Sequence, residues 1–90
     1  MKLFFSESSV ADLVHLRQFI AQHNPAAAQR TARKLKKAIQ ELVQTPQIGR
    51  PVSGLPGEIR ELIFGSYIVR YEVRKDALYV LRVWHGREER

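Results

Sequence analysis

An α+β fold is what this chain predicts: a short N-terminal strand, then an antiparallel helical hairpin packed on an antiparallel β-meander. Three observations carry it. Ala28, Ala32, Leu35, Ile39 and Leu42 follow the 4-3-4-3 spacing of one narrow helical stripe. Beyond Gly57 the period changes to two, so that Tyr67, Val69, Tyr71 and Val73 share one face and Ile68, Arg70, Glu72 and Arg74 the other. The breaks at Gly65-Ser66 and Lys75-Asp76 are too short for anything but antiparallel neighbours. A helical hairpin over the apolar face of that sheet is the way so short a chain makes a core.

The elements follow in order. Lys2 to Ser6 is a short aromatic run that reads as a first strand. Ser9 reads as an N-cap, with Asp12 three residues on in a capping-box-like start. Leu13, Leu16 and Ile20 then fall on one face of a first helix of about four turns, with Val10 and Phe19 at its borders. Asn24-Pro25 ends that helix and begins the next, because Asn caps well and Pro at the first helical position gives up a donor that has no partner there. Alanines at the start of the second helix allow close backbone approach. The three prolines and three glycines between Thr45 and Gly57 read as a loop without regular structure. Strands are expected at Ile59 to Phe64, Tyr67 to Arg74 and Ala77 to His85. With 90 residues, 44% of them hydrophobic and 27% charged, the sequence is expected to form a single globular domain over 1–90.

Composition excludes several kinds of chemistry. There is no cysteine, hence no disulfide scaffold, thiol nucleophile or Cys-ligated zinc. His15, His23 and His85 are scattered, without metal-ligand spacing, and Gly49, Gly54 and Gly57 fit no phosphate-binding pattern, so neither a metal nor a cofactor is expected. Ser53 has neither the turn context nor a base for serine chemistry. No window reaches the roughly 18 apolar residues of a membrane span, and the N-terminus lacks a signal-peptide pattern, which points to a soluble cytoplasmic domain without a membrane partner.

The formal charge of +6 is localised. Residues 1–24 are neutral and 56–90 carry +1, whereas Arg30, Arg33, Lys34, Lys36, Lys37 and Arg50 against Glu41 alone give 25–55 a net +5. Arg30, Arg33, Lys34 and Lys37 lie opposite the core stripe. Such a face is usually just solvated, and it has no interleaved aromatics for base stacking, but it would attract nucleic acid or an acidic protein.

The end of the last strand concentrates reactive side chains: Arg82, Trp84, His85 and Arg87 within a few residues. Alternation sends Arg82 and Trp84 to one face and Leu81, Val83 and His85 to the other, and Arg70 and Arg74 of the middle strand share the face of Arg82. Two readings stand side by side. In one, the arginines pair across strands with Glu72 and Glu61 and Trp84 finishes the core. In the other, the cluster binds or cleaves, with His85 moving a proton.

Taken together, Ala11-Asp12-Leu13, Asn24-Pro25-Ala26-Ala27-Ala28, Gly49-Arg50-Pro51, Arg60-Glu61-Leu62, Tyr67 through Val73 and Val83-Trp84-His85-Gly86-Arg87 resemble the RelE/ParE superfamily of bacterial toxins, in order and over nearly the whole chain. The resemblance implies a toxin neutralised by a cognate antitoxin with an acidic, partly disordered segment. It also implies one of two targets. RelE-like members cut messenger RNA on the ribosome without metal; ParE-like members block DNA gyrase and have no established catalytic set. The Arg that RelE-like sequences carry after the Tyr of the middle strand is Ile68 here, their lysine pair falls near Ile59 and Glu61, and no Tyr follows Arg87. His85 alone matches a position where one RelE-like branch has a catalytic His. The ParE-like expectation follows: no catalytic residue, with Arg60, Arg70, Arg74, Arg82, Trp84, His85 and Arg87 as candidate contacts for target or antitoxin. The alternative is a ribosome-dependent endoribonuclease using His85 with Arg82 and Arg87.

Overall fold

The chain starts with strand β1 (Lys2–Phe5) and turns at once into helix α1 (Glu7–His23). The cap of α1 is Ser6, not Ser9: the Ser6 Oγ accepts from the Ser9 backbone N–H at 3.0 Å, and the Ser9 hydroxyl, fully buried, donates back to the Ser6 carbonyl at 2.9 Å. The helix therefore begins one turn earlier than expected, and Asp12 lies in its second turn, beyond capping reach. Asn24 both ends α1 and caps α2 (Pro25–Leu42), its side-chain oxygen accepting from the Ala27 N–H at 3.1 Å. The chain reverses without a spare residue, giving the antiparallel hairpin.

After α2, Pro46 opens a single 3₁₀ turn over Pro46–Ile48, and Arg50–Pro51 forms a two-residue strand, β2. The expectation of a wholly irregular loop is thus corrected. Pro at the first position of a 3₁₀ turn loses no hydrogen bond, and Pro51 sits in an edge strand, where its missing N–H interrupts no ladder. Strands β3 (Glu58–Phe64), β4 (Tyr67–Val73) and β5 (Ala77–His85) form the expected meander. The sheet order is β1-β5-β4-β3-β2, with β1 parallel to β5 and every other pair antiparallel, so the sheet is mixed rather than a pure meander.

A register shift interrupts the β4–β5 ladder: Arg70 faces Arg82, but Tyr71 faces Val80, so Leu81 is one extra residue on β5. This bulge inverts the alternation of β5, which places Leu78 and Val80 before it and Val83 after it on the same side. There they meet Val69 and Tyr71 of β4, with Leu16, Leu35, Ile39 and Leu42 from the hairpin. Of the stripe expected on α2, Ala28, Leu35, Ile39 and Leu42 are buried but Ala32 is exposed. The helices part on that side, leaving an open apolar groove of about 350 Å³ whose walls include Phe5, Leu13, Ile20, Ala32, Arg17 and Lys36. The structure, a computed structural model, describes residues 1–86.

Candidate functional site

The sheet face turned away from the hairpin carries the residues that the sequence singled out, and the registers arrange them in rows across the strands. Ile63, Ile68 and Trp84 form an apolar row at the Gly65-Ser66 end. Next come Glu61, Arg70 and Arg82, and beyond them Ile59, Glu72 and Tyr79, with Phe4 of β1 stacked on Tyr79 at a centroid distance of 5.0 Å. The centre of the face thus holds charge, with an apolar row on one side and, on the other, Glu72 between the apolar Ile59 and the Tyr79 ring.

That central charge is balanced arginine by arginine. The Arg70 guanidinium donates through Nε and Nη2 to one Glu61 oxygen at 2.9 and 2.6 Å, with its carbon 5.3 Å from the centre of the Trp84 ring. Arg74 donates to Glu72 at 3.0 Å and lies 4.5 Å over Tyr79. Arg82 takes neither Glu72 nor Glu61, the partners that cross-strand pairing suggested. It reaches round the strand edge to helix α1 and makes a two-pronged contact with Asp12, Nε to Oδ2 at 2.8 Å and Nη2 to Oδ1 at 3.0 Å. This carboxylate raises the pKa of Arg82, first through the hydrogen bond and then through its charge.

Asp12 is the residue that sequence reasoning misassigned. Strand β1 pairs with β5 only as far as Val80, and beyond that point α1 covers the open edge of β5. The Ser6 hydroxyl donates to the Leu81 carbonyl at 2.8 Å, and Asp12 Oδ2 accepts the Val83 N–H at 2.9 Å. A helix side chain here supplies what the missing strand would have supplied. The signal was present in the sequence: Asp12 is four residues before Leu16, on the buried face of the helix, where an ionised group needs a partner.

Arg60 does not join the other arginines. It projects to the hairpin side, donating to Glu58 at 3.0 Å and to the carbonyls of Gln47 and Gly49 at 3.1 and 2.7 Å. With it works the fully buried Tyr71, whose hydroxyl donates to the Pro46 carbonyl at 2.7 Å and accepts the Gly49 N–H at 2.8 Å. A Cβ on Gly49 would run into that phenol, so the close approach requires glycine. Burial raises the Tyr71 pKa, opposed by the Gly49 hydrogen bond and the Arg60 charge. Arg60 and Tyr71 therefore tie the 46–49 segment to the sheet.

His85 lies opposite Tyr67 on the hairpin side, its ring edge-on to the phenol at 5.4 Å, and burial raises the Tyr67 pKa. Strand alternation so puts His85 on one face and Arg82 and Trp84 on the other, as the sequence indicated. Ile68 sits between Ile63 and Trp84, its Cδ1 within 3.8 Å of where a Cβ on Gly86 would stand. Arg87 lies outside the described residues. Arg30, Arg33, Lys34 and Lys37 are all exposed on α2, remote from the sheet. Among the described residues, no group of three His, Cys, Asp or Glu side chains could hold a metal ion, and no helix is long and apolar enough to cross a membrane.

The model of the ParE toxin of the type II toxin–antitoxin system parDE matches residues 3–90. The chain belongs to this family. Among curated relatives, the ParE-family chain is 36% identical over 79 residues to "Toxin RelE2" and 33% identical over 81 residues to "Toxin RelE1", both of Caulobacter vibrioides. These matches cover 87% and 88% of the chain and 86% of each relative. Its fold is shared with the chromosomal ParDE system of P. aeruginosa at a TM-score of 0.80 and 22% identity, over 94% of this chain and 95% of that one. The intact E. coli RelBE toxin–antitoxin complex follows at 0.70 and 22% identity, over 99% and 98%. The protein is a toxin of a type II toxin–antitoxin module.

Proposed function

We propose that this toxin acts by binding, as an inhibitor of DNA gyrase, rather than by cutting RNA. The observation that carries this reading is the state of the sheet arginines. Cleaving a phosphodiester requires cations aimed at the charge that develops on the phosphorus oxygens. Here Arg70, Arg74 and Arg82 are each held by a carboxylate, the position between Ile63 and Trp84 is the apolar Ile68, and His85 is on the reverse of the strand from Arg82. A face of paired charge bordered by Trp84, Ile68 and Ile63 suits contact with a protein better than attack on a phosphate. Ile63 is more than half exposed, which leaves that end of the apolar row open to such contact, while Trp84 at the other end is buried.

The antitoxin is assigned to the other side. The groove between the helices is apolar, with Arg17 and Lys36 in its walls, and fits an apolar segment flanked by acidic residues. Binding there would meet the ordering cost of a disordered partner through buried contacts.

The test is a supercoiling assay with purified toxin and gyrase. Supercoiling should stop and cleaved DNA should accumulate; undiminished supercoiling at saturating toxin refutes the reading. A ribosome-dependent endoribonuclease is the second reading, favoured by the RelE names of the curated relatives and by Arg82, His85 and Arg87 within six residues of sequence. Primer extension on translated message separates the two. Toxin-dependent cuts that disappear with His85→Ala establish the nuclease with His85 in it; cuts that persist remove His85 from it, and the absence of toxin-dependent cuts removes the nuclease.

A further inference from the structure

We infer that the outward face of helix α2 is a second contact surface, one that takes the phosphodiester backbone of duplex DNA. Arg30, Arg33, Lys34 and Lys37 recur at i, i+3, i+4 and i+7, all exposed, on a line about 10 Å long at 1.5 Å per residue. They lie opposite the buried Leu35 and Ile39, so they point away from the groove and the sheet alike. Among the described residues none of the four makes an ion pair, in contrast to Arg60, Arg70, Arg74 and Arg82. Glu41 is the one carboxylate that α2 contains.

The makeup of this face selects among anionic partners. Gln29, Gln40 and Glu41 border the cations, and no large apolar residue is interleaved with them. An acidic peptide would find charge but no anchor to offset the cost of ordering it. A single strand would find no ring to stack on. A duplex is already ordered and offers a phosphate every 3.4 Å along each strand, so a stripe of this length spans about three such steps and meets about four phosphates. No base-reading group enters, and the contact is indifferent to sequence. The choice of DNA rests on the gyrase reading, because duplex DNA is the polyanion on which that target works. The stripe would hold the toxin beside its target while the sheet and groove remain free.

The experiment uses the full-length toxin and a labelled random-sequence DNA duplex, with affinity measured by fluorescence anisotropy from 50 to 200 mM salt. Four phosphate contacts give a slope of log K on log salt of about −3.5, a loss of roughly a hundredfold over that range. Arg30→Gln, Arg33→Gln, Lys34→Gln and Lys37→Gln together should weaken binding at 50 mM at least tenfold and flatten the slope. A variant matched in net charge, with Lys2→Glu, Arg50→Gln and Lys75→Gln, should keep both. Equal losses in the two variants would reduce the effect to net charge and overturn the site. Equal affinity for polyglutamate would overturn the phosphodiester assignment, and equal affinity for an RNA duplex the restriction to DNA. Gyrase inhibition is scored separately on the same variants. Toxin that binds DNA but never inhibits gyrase refutes the target alone; toxin that inhibits without binding DNA refutes the stripe alone.

Discussion

On the sheet, Arg60, Arg70, Arg74 and Arg82 lie 3.0, 2.6, 3.0 and 2.8 Å from a carboxylate oxygen. On α2, Arg30, Arg33, Lys34 and Lys37 are exposed, with no carboxylate of the described residues against them. The two regions hold similar numbers of cations and use them for different ends. A guanidinium already paired must give up its carboxylate before it can take a phosphate, and that carboxylate would stay behind as a repulsive neighbour. An unpaired one has no such barrier. Net charge therefore says little about where an anion binds; the pairing of each cation says more.

The largest expected effect of breaking this comparison is at Asp12. It ties Arg82 and the Val83 N–H to helix α1 and is itself buried. Asp12→Ala leaves the Val83 N–H without that acceptor, at a cost of about 2–3 kcal/mol. The melting temperature should fall by roughly 10–20 °C for a domain of this size. Asp12→Asn keeps an acceptor for Val83 and should recover part of the loss. An unchanged melt for Asp12→Ala would mean that α1 does not seal the β5 edge.

Tyr71→Phe comes next. It removes the buried hydroxyl that serves Gly49 and Pro46 and should cost about 1–3 kcal/mol. This variant also carries a pH signature. Burial raises the folded-state pKa of Tyr71 above the ordinary 10.0, so the native state holds its proton more tightly than the unfolded chain does. Its contribution is complete below pH 10 and is lost as pH rises from there through the folded-state value. Denaturant midpoints measured above pH 10 should decline less steeply for Tyr71→Phe than for the parent, with Tyr67 supplying the remaining slope.

How much of this was legible in the sequence depended on the range of each signal. The hairpin and the meander announce themselves through period and through Asn24-Pro25, which act over a few residues. The parallel pairing of β1 with β5 joins residues more than 70 positions apart, and nothing local encodes it. The bulge at Leu81 was invisible for a different reason, since it preserves the alternation of the strand on either side while reversing its phase between them. At the site, Arg70 with Glu61 and Arg74 with Glu72 follow from strand neighbours and were readable. The Asp12–Arg82 pair needed tertiary knowledge, and the capping-box reading of Asp12 lost to Ser6, whose hydroxyl was nearer the helix start.

A smaller effect sharpens the role of the sheet arginines. The Arg70–Glu61 pair is about one-third exposed on the arginine side, so solvent weakens it, and its coupling should be about 1 kcal/mol. A double-mutant cycle with Arg70→Gln and Glu61→Gln measures that coupling. Because Arg70 also lies over Trp84, Arg70→Gln should shift the tryptophan emission, whereas Glu61→Gln should shift it less. Equal spectral shifts would mean that the carboxylate, not the guanidinium, governs the environment of the ring.

The smallest stability effect is expected on α2, and its sign is what matters. Arg30 with Lys34 and Arg33 with Lys37 are like charges at i, i+4, and Arg30 with Arg33 and Lys34 with Lys37 are like charges at i, i+3. Each pair repels by a few tenths of a kcal/mol in dilute salt. Lys34→Gln with Lys37→Gln should therefore leave stability within about 0.5 kcal/mol of the parent, on the stabilising side. The gain should vanish near 1 M salt, where the Debye length is only about 3 Å. Destabilisation at low salt would show that these lysines are held by contacts of their own, which would erase the difference between helix and sheet. A gain that salt removes would mean that the folded monomer bears a small cost for keeping this face bare, as a surface kept for a polyanion would.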